Sequence, residues 1–169
     1  MSPAGAVLIL CACIAAARCL VWEQRQRLDA LHELAAALER LYAELSLRAT
    51  GLPELAETFA HESRGAAARF FSALCEEMEH LGERPFSAIW EQAARGALPE
   101  LGREDLNGFC RLGETLGRYE LREQLTAIEL CRASLERSAA LLADRLPERR
   151  RLAYGLLCAA GTLLCIILM

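Results

Sequence analysis

The residue types that most often carry enzyme chemistry are present in this chain but do not form catalytic arrangements. His32, His61 and His80 lie in three different predicted helices, and none has the His-Glu-x-x-His spacing of a metal-binding helix. The chain has no lysine, so a phosphate-cradling Gly-x-x-x-x-Gly-Lys loop and a Schiff-base mechanism both lack their central residue. Acidic residues are plentiful, yet no pair is singled out for general acid and base catalysis. We therefore expect no enzymatic activity, cofactor, metal ion or small-molecule substrate.

The cysteines do not indicate a disulfide framework either. Five of the eight fall in or beside the apolar ends of the chain, where they serve as small hydrophobic residues. Cys75, Cys110 and Cys131 are far apart and lack Cys-x-x-Cys spacing. Because they alternate with apolar helix positions, we predict that these three are reduced thiols in a hydrophobic core.

A glutamate flanked by glycines is the motif best suited to meet a partner. Residues 112–118 read Leu-Gly-Glu-Thr-Leu-Gly-Arg, with Gly113 and Gly117 four positions apart. In a helix this spacing bares one stripe of backbone, which allows another helix to approach closely. Glu114 is placed to cap a helix or pair with a cation. We predict a partner contact through Gly113, Glu114, Thr115 and Gly117, with a purely structural helix-to-helix corner as the alternative.

A second candidate surface is acidic. Residues 54–84 hold seven glutamates and three arginines, a net charge of −4 that equals the charge of the whole chain. Glu76, Glu77 and Glu79 are its densest group, and such a face could attract a basic partner. The alternative is an ordinary solvated helix face.

The elements that hold these residues lie between two uncharged ends. Residues 1–17 and 152–169 carry no charged side chain, and all 42 charged residues (19 basic and 23 acidic) lie between them. A bilayer core is crossed by about 20 apolar residues, or by as few as about 17. We predict transmembrane helices over residues 1–22 and 152–169 and a soluble domain over residues 23–151. A signal peptide or lipid anchor is the alternative for the first, although its arginines follow the apolar run instead of preceding it.

Arginines flank both predicted spans on the side of the central domain, and neither outer end has any. By the positive-inside rule, each span independently places the central domain in the cytoplasm and its own terminus outside. The flanking residues are Arg18, Arg25, Arg27, Arg145, Arg149, Arg150 and Arg151.

Composition and periodicity indicate that the central domain is all-α. The chain is 54% hydrophobic but 6% aromatic, which is too apolar for disorder and too poor in aromatic and β-branched residues for a β protein. Its negative charge and scattered arginines argue against nucleic-acid binding. Apolar spacings of three and four, broken at glycines and prolines, predict a bundle of about five to six helices. The expected helices reach residue 50 and then cover residues 53–64, 66–81, 85–95, 103–116 and 119 to Pro147.

Apolar residues at strict seven-residue spacing predict how the first and last of these helices pack. Because both helices meet the same membrane face, we expect them to run antiparallel and to bury these seams against each other. An inter-subunit coiled coil is the alternative use of the seams. The seam residues are Leu31, Leu38 and Leu45 on the first helix and Leu121, Ile128, Leu135 and Leu142 on the last.

The sequence also resembles a known family. Residues 109–119 read Phe-Cys-Arg-Leu-Gly-Glu-Thr-Leu-Gly-Arg-Tyr and precede a helix with Gln124 and Leu130. Together with the two terminal spans, this run resembles stage III sporulation protein AB of endospore-forming bacteria, and the resemblance covers the full chain. Residues 50–56, Thr-Gly-Leu-Pro-Glu-Leu-Ala, and the pair Phe86 and Trp90 also resemble that family.

The soluble domain of that family is similar to the cytoplasmic domains of inner-membrane platform proteins in type II secretion and type IV pilus machines. Their Gly-Glu-x-x-Gly signature matches Gly113, Glu114 and Gly117, although platform proteins usually have more spans and a duplicated domain. The resemblance implies a subunit of the channel complex in the mother-cell membrane around the forespore. It implies contact with a cytoplasmic secretion-type ATPase and with other membrane subunits, and coupling between them. The alternative function is a non-energised membrane scaffold or adaptor that oligomerises through its heptad helices.

Overall fold

Six α-helices account for the secondary structure of the described residues, and no strand occurs among them. The computed structural model describes the backbone of residues 3–47, 51–80, 82–116, 118 and 120–168. It describes the side chains of residues 18, 22–47, 51–80, 82–116, 118 and 120–144. The all-α prediction is confirmed. The helices are α1 (Pro3–Leu47), α2 (Leu52–Glu62), α3 (Gly65–Met78), α4 (Phe86–Ala97), α5 (Arg103–Leu116) and α6 (Leu121–Leu168).

The residues group into two compact units. One unit combines Met1–Gln26 with Ala140–Met169 and therefore contains the N-terminal part of α1 and the C-terminal part of α6. The other unit is Arg27–Ala139, which contains α2 to α5 and the remaining parts of α1 and α6. All side-chain contacts described below lie within this second unit.

The two predicted membrane spans lie almost wholly outside the residues whose side chains are described. In residues 1–22 and 152–169, only Arg18 and Trp22 are described in full, and both are exposed. The backbone is helical over residues 3–22 and 152–168. Among the residues described in full, no helix has a stretch long and apolar enough to cross a membrane.

The seam residues of α1 and α6 are buried as predicted, except Leu121, which is exposed, and Leu142, which is half-buried. Leu38 is 1% exposed, Ile128 is fully buried and Leu135 is 1% exposed, whereas Leu121 is 49% exposed. The pKa of Arg132 on α6 is raised chiefly by a hydrogen bond to Glu129 and additionally by the charge of Glu39 on α1. Leu121 is the first residue of α6 and therefore lies at the end of the seam.

Aromatic side chains from three helices form the centre of the core. Phe70 of α3 is fully buried, and its ring centroid lies 4.7 Å from that of Trp90 on α4 and 4.9 Å from that of Phe109 on α5. Both pairs meet edge to face, which is a favourable geometry for aromatic rings. This cluster fixes α3, α4 and α5 against one another.

Local sequence signals located most helix boundaries, but three were wrong. The bounds of α5 match the prediction, and α2 carries a proline in its first turn, as expected of Pro53. Gly65 was expected to end a helix and instead begins α3, and Gly96 lies inside the last turn of α4. The helix expected to end at Pro147 continues as α6 to Leu168. A proline removes one backbone hydrogen bond, but α6 is helical on both sides of Pro147.

Gly65 begins α3 because a carboxylate from α1 occupies the space where a side chain would lie. Its φ is +55°, a left-handed conformation that favours glycine. A Cβ atom at this position would overlap the carboxylate of Glu33. Oε2 of Glu33 accepts a hydrogen bond of 2.6 Å from the backbone N–H of Ala66. Glu33 therefore caps α3 across 33 residues of sequence, at the helix end where negative charge is favourable.

We expect Gly65→Ala to destabilise the chain by more in the wild type than in a Glu33→Ala background. In the wild type, alanine meets both the left-handed backbone, which costs about 1–2 kcal/mol, and the Glu33 carboxylate. In the Glu33→Ala background only the backbone term remains. Urea unfolding of the four proteins in this cycle measures the difference, with Gly96→Ala, which has open space at its Cβ, as the control. Equal losses in both backgrounds would contradict the contact.

Candidate partner-binding site

Gly113 lies in a close internal contact between α5 and α4. The residue is buried, and a Cβ atom there would overlap the indole ring of Trp90. Nε1 of Trp90 donates a hydrogen bond of 2.9 Å to the backbone carbonyl of Phe109, one turn earlier on α5. An indole can reach this carbonyl because Gly113, the next residue along the same helix face, has no side chain. The close approach predicted for this glycine is therefore made within the chain.

The residues that follow Gly113 turn toward the surface. Glu114 is exposed, Thr115 is half-buried, and Gly117 lies outside the described residues. Two exposed arginines flank the glutamate, Arg111 one turn before it and Arg118 just beyond α5. We call the described residues of this surface, Arg111, Glu114, Thr115 and Arg118, the α5 corner.

The charged side chains of the α5 corner are not used in contacts within the described part of the chain. Within the described residues, the side chains of Arg111, Glu114 and Arg118 make no ion pair or hydrogen bond. Elsewhere on the surface, exposed arginines do pair with acids: Arg40 contacts Glu62, and Arg95 contacts Glu91 at 2.8 Å. The α5 corner thus presents one negative and two positive groups, attached to a helix that Trp90 holds in place.

The three acidic residues predicted to attract a basic partner, on α3 and in the turn after it, differ in burial and in their contacts. Glu77 is half-buried and accepts hydrogen bonds from Arg84 Nη2 at 2.7 Å and from Gln92 Nε2 at 2.8 Å. It therefore ties the turn after α3 to α4. Glu76 and Glu79 are exposed, and their side chains make no ion pair within the described residues. Of the three, these two are available to a basic partner.

Sequence reasoning missed a buried carboxylate that joins three helices. Asp105 on α5 is 7% exposed and is the buried charged residue of the described part of the chain. Its Oδ2 accepts a hydrogen bond of 2.7 Å from Arg27 Nη2 on α1, and its Oδ1 accepts one of 2.6 Å from Ser138 Oγ on α6. A signal was present, because Asp105 precedes Phe109, Leu112 and Leu116 at spacings of four, three and four. A carboxylate at the head of an apolar stripe predicts a buried ion pair.

The three cysteines described in full are free thiols. Cys110 is buried in the core, as predicted, whereas Cys75 and Cys131 are half-buried. Burial is the main cause that raises the pKa of each, and for Cys131, where the charge of Asp105 adds to it, the pKa reaches about 12. A raised pKa keeps a thiol protonated and unreactive. No group of three or more His, Cys, Asp or Glu residues in the described part of the chain could hold a metal ion.

The described residues form six helices, and the start of the Gly-Glu-x-x-Gly run lies at the end of α5 with Gly113 buried and Glu114 exposed. The chain belongs to the stage III sporulation protein AB family, whose sequence model matches residues 3–169. The family resemblance is thereby confirmed. A solved structure titled Stage III sporulation protein AB (SpoIIIAB) is similar to this chain, with a TM-score of 0.64 at 25% identity. The match covers 72% of this chain and 96% of the solved one. No curated protein matches.

Proposed function

We propose that this chain is a membrane platform component of the sporulation channel complex between mother cell and forespore. In this proposal, residues 1–22 and 152–169 are transmembrane helices in the mother-cell membrane and residues 23–151 form a cytoplasmic domain. That domain docks a cytoplasmic secretion-type ATPase and couples it to other membrane subunits of the channel. Membership of a sporulation protein family supports the biological setting.

Glu114 is the observation that carries the docking part of this proposal. The glutamate of the Gly-Glu-x-x-Gly signature is exposed and without a partner in the described residues, while the first glycine is buried against Trp90. Gly113 therefore fixes α5 against α4, and Glu114 presents a charge at the surface. A partner surface with a cation facing Glu114 and acids facing Arg111 and Arg118 would complement it. Such complementarity sets which partner binds and how fast.

Helical backbone over both uncharged ends supports the membrane part. Residues 152–168 are helical to the end of α6, and residues 3–22 belong to the single helix α1. At a rise of about 1.5 Å per residue, an 18-residue helix is about 27 Å long, which is close to the hydrocarbon thickness of a bilayer. Arg18 and Trp22 are exposed at the inner end of the first segment, where such residues anchor a helix at the lipid interface.

Burial of the seams argues against the alternative of a scaffold that oligomerises through its heptad helices. Leu31, Leu38 and Ile128 are at most 1% exposed in the isolated chain, so a second copy could reach them only if the core opened. The charged surfaces are what remain for partners. Glu76 and Glu79 are proposed as a second contact site for a basic partner, with Glu77 holding their segment against α4.

We expect Glu114→Arg to reduce spore yield and ATPase recovery together while leaving the protein folded and inserted. Removing one partner of a charge pair that docking buries and hydrogen-bonds typically costs about 2–5 kcal/mol, which corresponds to at least a tenfold loss of binding. The measurement is co-purification of the ATPase with the full-length chain from membranes of sporulating cells, alongside heat-resistant spore counts. Glu114→Gln should give a milder loss of both.

Glu104→Arg is the matched control, because Glu104 is an exposed glutamate on the same helix outside the α5 corner. It should leave both readouts near wild type. Normal spore yield with Glu114→Arg, at normal protein level, would remove the docking role of this residue and leave Gly113 as part of a structural corner.

A further inference from the structure

Asp105 uses its two oxygens to hold two different helices. Oδ2 is bound by Arg27 of α1 and Oδ1 by Ser138 of α6, from 78 and 33 residues away in sequence. Each contact is a short hydrogen bond to a charged acceptor, and these are stronger than bonds between neutral groups. Ser138 therefore supplies a polar contact between α6 and the other two helices, beside the buried Leu135 and Ala139.

The arginine in this cluster is only partly satisfied. Nε of Arg27 is buried and has no hydrogen-bond partner within the described residues. The guanidinium is also confined, since a Cβ atom at Gly102, just before α5, would overlap its Nη2 atom. Arginine pairs best with a carboxylate through two parallel N–H bonds. Here only Nη2 binds Asp105, and the neighbouring Nε donor is left without a partner.

We propose that Asp105 is a two-position latch that holds or releases α6. In the engaged position, which the structure shows, Ser138 and one arm of Arg27 share the carboxylate. In the released position, Ser138 moves away with α6, and Arg27 binds both oxygens through Nε and Nη2. The carboxylate accepts two hydrogen bonds in either position, so release leaves no buried charge unpaired.

The hydroxyl of Ser138 also has an alternative partner on release. A helical serine can donate to the backbone carbonyl four residues earlier, which here belongs to Ser134. Buried ion pairs are commonly no more stabilising than apolar side chains of the same size. The cluster of Asp105, Arg27 and Ser138 instead allows two hydrogen-bonding patterns. In one of them α6 is held, and in the other α6 is free to move. This inference concerns the helices of the chain itself and does not depend on the docking proposal.

Hydrogen–deuterium exchange of the full-length chain in phospholipid nanodiscs tests the latch. Ser138→Ala removes the engaged bond, so amide exchange in residues 125–139 should accelerate about tenfold, as loss of a hydrogen bond to a charged group implies. Exchange around Arg27 and Asp105 should stay within about twofold of wild type, because their mutual pairing strengthens. Ser134→Ala, at an exposed position one turn earlier on α6, is the control and should change nothing. Ser138→Thr, which keeps the hydroxyl, should restore wild-type exchange.

Arg27→Lys tests the second position. Lysine keeps the positive charge but lacks the planar fork, so it cannot bind both oxygens in the bidentate manner. In this background, Ser138→Ala should accelerate exchange around Asp105 as well as in α6, because release no longer gains a second bond. Two results would overturn the latch: equal acceleration in α1, α5 and α6 with Ser138→Ala alone, or no acceleration in α6. The first would make the cluster an ordinary structural contact, and the second would mean that Ser138 does not hold α6.

Discussion

Replacing Trp90 with alanine is expected to lower the free energy of unfolding by about 3–5 kcal/mol, the usual cost of removing a buried aromatic side chain. Trp90 is 1% exposed and contacts the rings of Phe70, Phe86 and Phe109. It also satisfies the carbonyl of Phe109 through Nε1. The substitution therefore removes packing, ring contacts and one hydrogen bond at the place where α3, α4 and α5 meet. Urea unfolding of the full-length chain in detergent, followed by far-ultraviolet circular dichroism, measures the loss.

Leu130→Ala is the control, since it removes a large apolar side chain from a position that is 67% exposed. It should cost less than about 0.5 kcal/mol, as surface substitutions usually do. Gly113→Ala gives a second check on the contact. It should destabilise the wild type by about 1–3 kcal/mol through overpacking, but far less once Trp90 is alanine. Independent, additive effects of these two substitutions would refute the fit of indole against glycine.

Sequence patterns located the helices wherever the deciding interactions are local. Helix α5 was correct at both ends, because its apolar spacing and flanking glycine and proline residues are read from neighbouring positions. The start of α3 was wrong because Gly65 is fixed by the carboxylate of Glu33, which is 32 positions away in the chain. A glycine within a few residues of a helix end is compatible with either role, and only the long-range contact decides between them.

The same distinction applies to the candidate site. The sequence identified the Gly-Glu-x-x-Gly run, but it could not assign the contact of Gly113, because Trp90 lies 23 positions earlier on another helix. Gly113 and Glu114 were predicted to act as one binding motif, whereas in the structure Gly113 is buried and Glu114 is exposed. Asp105 was missed for a similar reason: its partners are an arginine and a serine on helices that are distant in the chain.

The heptad seams provide the other large expected effect. Leu38→Ala and Ile128→Ala should each lower the free energy of unfolding by about 2–5 kcal/mol, the range for truncating buried aliphatic side chains. Both residues are at most 1% exposed within a single chain, so the neighbouring helices can relax only partly into the cavity. The measurement is again urea unfolding of the full-length chain, at several protein concentrations.

Leu121→Ala is the internal control, because Leu121 belongs to the same heptad row but is 49% exposed. It should cost less than about 1 kcal/mol, since about half of its surface is in contact with solvent already. Concentration separates the two uses of the seams. If they stabilise the fold of one chain, the losses at Leu38 and Ile128 are the same at every concentration. If they join subunits, apparent stability rises with protein concentration in the wild type, and the variants lose that dependence. That second pattern, combined with a loss of unfolding free energy under about 0.5 kcal/mol for these variants at low concentration, would assign the seams to oligomerisation. It would then favour the scaffold function over the platform function.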